Sequence, residues 1–187
     1  MQWVIQNRWQ MDDPDTEELE MSLGEEGHQT EDTRNKIQNW LTSEGWKLSE
    51  QIHPEAAWLI RAEDAGGRKV LIGQNRTALD QIRFEARVKV ASEHREQFDN
   101  LPDQRKREIL WNLRFRLLSM NVDFSGVGEL MESVVLTQRI YLDGLTKDTF
   151  IQRFSVVRNA IIAVIWSITQ DLEGVQPPAA SDGPMMQ

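Results

Sequence analysis

A chain of 187 residues with 40% hydrophobic content can bury one real core without metal or disulfide staples. The absence of cysteine excludes disulfides, thiolate metal sites, iron–sulfur clusters and thiol nucleophiles, and a formal net charge of −9 makes nucleic acid an unfavoured partner, because binding its backbone rests on neutralising phosphates. The acidity is local, with eight acids against one arginine in residues 1–30 and near balance beyond them.

The opening segment sets Trp3, Val4, Ile5 and Trp9 among polar residues without the continuous apolar run of a signal peptide, so a cytoplasmic location is expected. From Asp12 to Gln29 only Leu19, Met21 and Leu23 offer apolar surface, too little to offset ordering entropy. Residues 1–30 therefore read as an acidic, largely flexible arm with a tryptophan-containing segment. The folded unit is expected over residues 31–173. A disordered tail over 174–187 follows from Pro177, Pro178, Gly183 and Pro184.

The first helix is expected to start near Thr30 or Asp32 and to end at Gly45, which tolerates a left-handed cap, with Ile37, Trp40 and Leu41 as its buried stripe. Three strands follow at Ala57–Ala62, Lys69–Gln74 and Gln81–Ala91, the first two joined by a hairpin loop over residues 63–68. The third alternates cleanly. Ile82, Phe84, Ala86, Val88 and Val90 face a core, while Gln81, Arg83, Glu85, Arg87 and Lys89 face solvent or a partner, the signature of an antiparallel sheet. Ser92 is placed to cap a short helix, and Pro102 suits the first turn of a longer one reaching Met120, with Ile109, Leu110, Leu113, Leu117 and Met120 as its core stripe. Strands at Val122–Phe124 and Val134–Leu142 complete the sheet. Asp143-Gly144 turns the chain and Thr146 caps the last helix, Lys147–Leu172.

That last helix has Phe150, Phe154, Val157, Ile161, Val164, Ile165, Ile168 and Leu172 on one stripe, and Ile151, Val156, Ile162 and Trp166 outside it. So much apolar surface implies burial on more than one side, under the domain or at a subunit interface, and a homodimer is expected. Its continuous apolar stretch is about half the roughly 20 residues that cross a bilayer, which makes it a core helix and no membrane span. The class is thus α+β: an antiparallel sheet of about five strands packed with three main helices, in the order α-β-β-β-α-β-β-α.

Three segments carry a family resemblance: residues 40–46 (WLTSEGW), 110–118 (LWNLRFRLL) and 140–150 (IYLDGLTKDTF). With this element order, the chain resembles a little-characterised archaeal and bacterial domain family with the type III secretion chaperone-like, YbjN-like fold, over roughly residues 32–172. The resemblance implies dimerisation and clamping of a partner segment, a chaperone or adaptor role. It supplies no catalytic residues.

No motif argues for chemistry. His28, His53 and His94 lack the i, i+4 pairing of a helical metal site. Gly126-Val127-Gly128 is a lone GxG and reads as a turn, and Ser125 lacks the preceding glycine of a nucleophile elbow and a nominated histidine base. Asp143 and Asp148 suit the start of a helix better than acid–base work. Of the seven tryptophans, Trp40, Trp46, Trp58, Trp111 and Trp166 fall in the domain, whereas Trp3 and Trp9 lie outside it. The Trp3-Val4-Ile5 segment suits docking as an added strand or anchor, on a partner or on its own domain. The expectation is a non-enzymatic, cofactor-free module binding another protein through Trp3, Ile5, Trp9, Arg83, Arg87, Ile151, Ile162 and Trp166. The alternative is RNA or an anionic ligand on the basic face formed by Arg105, Lys106, Arg107, Arg114 and Arg116.

Overall fold

The computed structural model describes residues 16–128 and 131–172, with side chains from residue 28 onward. The expectations for Trp3, Ile5 and Trp9 and for the tail lie outside the described residues. In chain order the elements are α1 (Thr16–Ser43), β1 (Lys47–Gln51), β2 (Ala56–Glu63), β3 (Lys69–Asn75), β4 (Ala78–Lys89), α2 (Ser92–Asp99), α3 (Asp103–Ser119), β5 (Asp123–Ser125), β6 (Ser133–Tyr141), one 3-10 turn (Leu142–Gly144) and α4 (Lys147–Leu172). The class is α+β, and the sheet runs β1-β2-β3-β4-β6-β5 with every neighbouring pair antiparallel.

The alternation in β4 sets the two layers. Ile82, Phe84, Ala86 and Val88 are buried beside Ile60 and Ala62 of β2, Val70 and Ile72 of β3, and Val134 and Leu136 of β6, and the helices cover this side. Five rings bind sheet to helices: Phe84 lies 5.1 Å from Phe150 and 6.4 Å from Phe154, Trp40 leans on Phe150 at 5.6 Å, and Trp46 meets Phe154 edge-on at 4.5 Å. Two polar side chains in the core pair with each other. Trp58 donates from Nε1 to Oε1 of Gln74 at 2.8 Å, and Gln74 donates in turn to the Leu79 carbonyl.

Element ends follow local chemistry. Gly45, at φ +82°, sends its N–H to the Thr42 carbonyl while Trp46 sends its own to Leu41, the paired bonds of a Schellman cap. Thr146 and Thr149 cap α4 reciprocally, each backbone N–H donating to the other's hydroxyl at 3.0 and 3.1 Å. Lys147 then reaches Glu44 at 2.9 Å, pinning the start of α4 to the end of α1.

Several expectations need correction. Among the described residues there are six strands rather than about five, because β1 has only Leu48 as an apolar residue yet pairs along its length with β2, with Leu48 opposite buried Ala62. The first helix begins at Thr16, so the expected arm boundary at residue 30 falls inside α1; Glu17, Glu18, Leu19, Glu20 and Met21 are good helix formers even where they offer little to bury. Ser92 does not cap α2, because Ala91 occupies the cap position in extended backbone without a side-chain bond, and the Ser92 hydroxyl turns to Glu93. Pro102 sits one place earlier than expected, just before α3, where its missing N–H still costs nothing. Ile165, expected on the buried stripe of α4, is 42% exposed.

The β2–β3 hairpin turns on Asp64. One of its carboxylate oxygens accepts the N–H groups of Gly66 and Arg68 at 2.9 and 3.0 Å, and the other takes the Arg68 Nε at 2.6 Å. Burial pushes this carboxyl up, but the Arg68 backbone N–H, the Arg68 guanidinium and the Gly66 N–H outweigh burial and hold it below its ordinary value. A depressed folded value means the stabilisation is present above the unfolded value near 4 and is lost as pH falls through the folded one. Asp64→Asn should therefore cost about 1 kcal/mol in urea unfolding at pH 7 and progressively less below pH 4. An equal cost at pH 7 and pH 3 would contradict this assignment.

Candidate functional site

With Ile109, Leu113 and Leu117 of α3 buried, Trp111, Phe115 and Leu118 fall about half a turn round the helix, and they are 52%, 62% and 62% exposed. The helix thus has two apolar faces, one in the core and one in solvent. Trp111 and Phe115 stack at 5.5 Å, and the Arg114 guanidinium lies over the Trp111 ring at 5.2 Å. On α4, Val157, Val164 and Ile168 are buried and Trp166, on the opposite side, is 68% exposed, with half-buried Ile162 one turn before it. Arg116 joins α3 to α4 by donating to the Ser167 hydroxyl at 2.7 Å. Phe115 and Trp166 are next along the chain to those two residues, and both are exposed to solvent.

Of the expected binding residues, Trp166 lies on this surface and Ile162 borders it. Ile151 is half-buried and packs against the core. Arg83 and Arg87 stand on the open face of the sheet, where Arg83 pairs with Glu85 at 3.2 Å. Trp111, Phe115 and Leu118 were not singled out by sequence reasoning, although counting every apolar residue round α3, as was done for α4, would have found them.

The basic residues of α3 do not form one free face. Arg105 meets Glu108 at 3.4 Å and Asp171 of α4 at 3.3 Å, and Lys106 donates to the Asp99 carbonyl at 2.7 Å. Arg114 gives two N–H groups to the Val127 carbonyl, at 3.2 and 2.7 Å, and Arg116 is held by Ser167. Arg107 is exposed and has no partner among the described residues. Among these residues there is also no group of three or more His, Asp or Glu side chains that could hold a metal ion. The α4 helix is long and apolar enough by length and composition to cross a membrane, but here its buried stripe packs over β4 and β6.

The open face of the sheet carries two shallow hollows. One, of about 240 Å³, has Gly73 on its floor between Leu59 and Leu71, with His53 and Arg83 among its walls. The other, of about 310 Å³, is lined by Gln81, Asp123, Thr137 and Arg139 among others. They share Asn75 and Arg83 as walls, so they lie side by side across the strands.

A family model described as an uncharacterized conserved protein, DUF2299, matches residues 33–168. No curated protein matches the chain. Among solved structures the chain is similar to an uncharacterized protein from Methanothermobacter thermautotrophicus, with 26% identity and a TM-score of 0.69 over 74% of this chain and 98% of that one. Fainter likenesses join it to the ExsC–ExsE complex (17% identity, TM-score 0.40, 63% of this chain and 77% of that one) and to YbjN from E. coli (14%, 0.37, 72% and 86%).

Proposed function

The chain belongs to the DUF2299 family, and from that premise we propose that it is a non-catalytic protein-binding module, chaperone-like or adaptor-like, that pairs with a second copy through the outer surface of α3 and α4. The observation that carries this reading is the second apolar face of α3, with Trp111, Phe115 and Leu118 exposed, together with exposed Trp166 on α4, the helix that α3 packs against. From their exposed fractions, the three rings alone present roughly 400 Å² of aromatic surface, the size of patch that marks an interaction site.

A second copy fits this patch because a two-fold interface sets the same surface against itself, and an apolar centre is self-complementary. Two such patches, with Leu118, Ile165 and the surrounding polar side chains, reach the total of about 1,000 Å² that a specific interface needs. Tryptophan at the centre and Arg114 at the margin match the residue types that dominate binding energy. Pairing here leaves the open sheet face free for another protein.

Light scattering at micromolar concentration should give twice the chain mass for the unaltered protein. Phe115→Glu combined with Trp166→Glu should give a single-chain mass with an unchanged circular dichroism spectrum. A monomeric mass for the unaltered chain, or a dimer that survives the double substitution, would count against this pairing.

A further inference from the structure

On a chain whose net charge is −9, the open face of the sheet is basic. The alternation that buries Ala62, Phe84 and Leu136 sends Arg61, Lys69, Arg83, Arg87, Lys89 and Arg139 to the other side, against Glu63, Glu85 and Asp123. In register, Leu59 lies opposite Gly73, Gly73 opposite Arg83, and Arg83 opposite Arg139, so one row across four strands reads apolar, glycine, basic, basic. Gly73 admits no side chain, since the Trp58 carbonyl oxygen and the Leu59 Cδ1 already stand 2.7 and 2.8 Å from where its Cβ would lie, so Leu59 leans over the glycine.

Like charges directly opposite on neighbouring strands repel. Arg83 has Glu85 at 3.2 Å, and Arg139 has no partner among the described residues. Resting on the reading of the protein as a protein-binding module, we infer that this face docks an extended acidic peptide, with an apolar side chain against Leu59 and Leu71 beside Gly73 and a carboxylate between Arg83 and Arg139.

The spacing supports that occupant. Strands lie about 4.8 Å apart, which puts the midpoint of the two arginines about 7 Å from Gly73 along the row. Same-face residues of an extended peptide, two apart in sequence, are also separated by about 7 Å. A peptide crossing the strands thus matches the row when an apolar residue is followed two places later by Asp or Glu. The carboxylate accepts from two guanidinium forks and removes their repulsion. The Arg83–Glu85 pair is no obstacle, because an exposed ion pair is worth at most about 1 kcal/mol and exchanges readily.

Nucleic acid fits less well. Glu63, Glu85 and Asp123 interrupt any phosphate track, and Tyr141 is the one aromatic side chain the described strands turn to this face, too few for base stacking.

The test is fluorescence anisotropy on the full chain with a labelled peptide of repeated Leu-Ser-Glu-Ser, beside the same peptide with Gln for Glu and a uridine octanucleotide. Saturable binding of the Glu peptide is expected, at least tenfold tighter than the Gln peptide or the oligonucleotide. Arg83→Gln with Arg139→Gln should weaken it at least tenfold, both side chains being on the solvent face and the thermal midpoint serving as the folding check. Equal affinity for the Gln peptide, tighter binding of the oligonucleotide, undiminished binding by the double variant, or no saturable binding at millimolar peptide would each overturn the inference. Light scattering reads the helix surface separately, so a failure of pairing and a failure of peptide docking are told apart.

Discussion

Alanine at Phe84 is expected to remove about 3–5 kcal/mol of unfolding free energy, a large share of the roughly 5–15 kcal/mol that holds a domain of this kind folded. Phe84 is fully buried at the centre of β4, with Ile72 of β3 opposite on one side and Gln138 of β6 on the other. Its ring touches both phenylalanines of α4, which are themselves held by Trp40 and Trp46. Truncation leaves a cavity between elements already fixed by backbone pairing and by the Lys147–Glu44 contact, so the site cannot close up to recover the loss. Urea unfolding should report a lower midpoint with an unchanged slope. A loss under about 1 kcal/mol would mean that these rings are not the tie between sheet and helices.

Gly126→Ala should cost about 3 kcal/mol, combining a left-handed backbone with a collision. Gly126 has φ +83°, and a Cβ there would lie 2.0 Å from the Ser133 carbonyl oxygen at the start of β6. The obstacle is backbone, so relief requires β5 to move off β6, and β5 is held there by three residue pairs. Gly128→Ala is the matched control, because a Cβ at that position meets nothing within 4 Å. Thermal unfolding of the two variants, with amide exchange at Phe124, checks the claim. Similar melting for both would refute it.

What could be read from the sequence divides by how much each segment depends on its neighbours. The strict alternation from Ile82 to Val88, the bounds of α4, the glycine cap at Gly45 and the turn before Thr146 each encode their structure within a few residues, and the structure has them. Strand β1 does not, because Lys47, Ser49, Glu50 and Gln51 carry no apolar pattern and pair only once β2 is there to receive them. The start of α1 is hidden for a related reason: Glu17, Glu18 and Glu20 favour helix by propensity, while the sequence there has too few apolar residues to mark a stripe. On α3, the stripe from Ile109 to Leu117 suffices to fill the core, so the sequence alone gives Trp111, Phe115 and Leu118 no place in it. The pairing of Arg83 with Arg139 needed the register between β4 and β6, which no local pattern contains.

That sheet order also bears on how the chain reaches its fold. Strands β1 to β4 form a meander in which each pairs with the next across a short connection, so these contacts close small loops and carry little chain entropy. The pairing of β4 with β6 must instead bring together segments separated by α2, α3 and β5. Among the described strands the long loop closure therefore falls at the step that sets Arg83 beside Arg139, and until that step is complete the central strand β4 presents a bare edge to any other chain nearby.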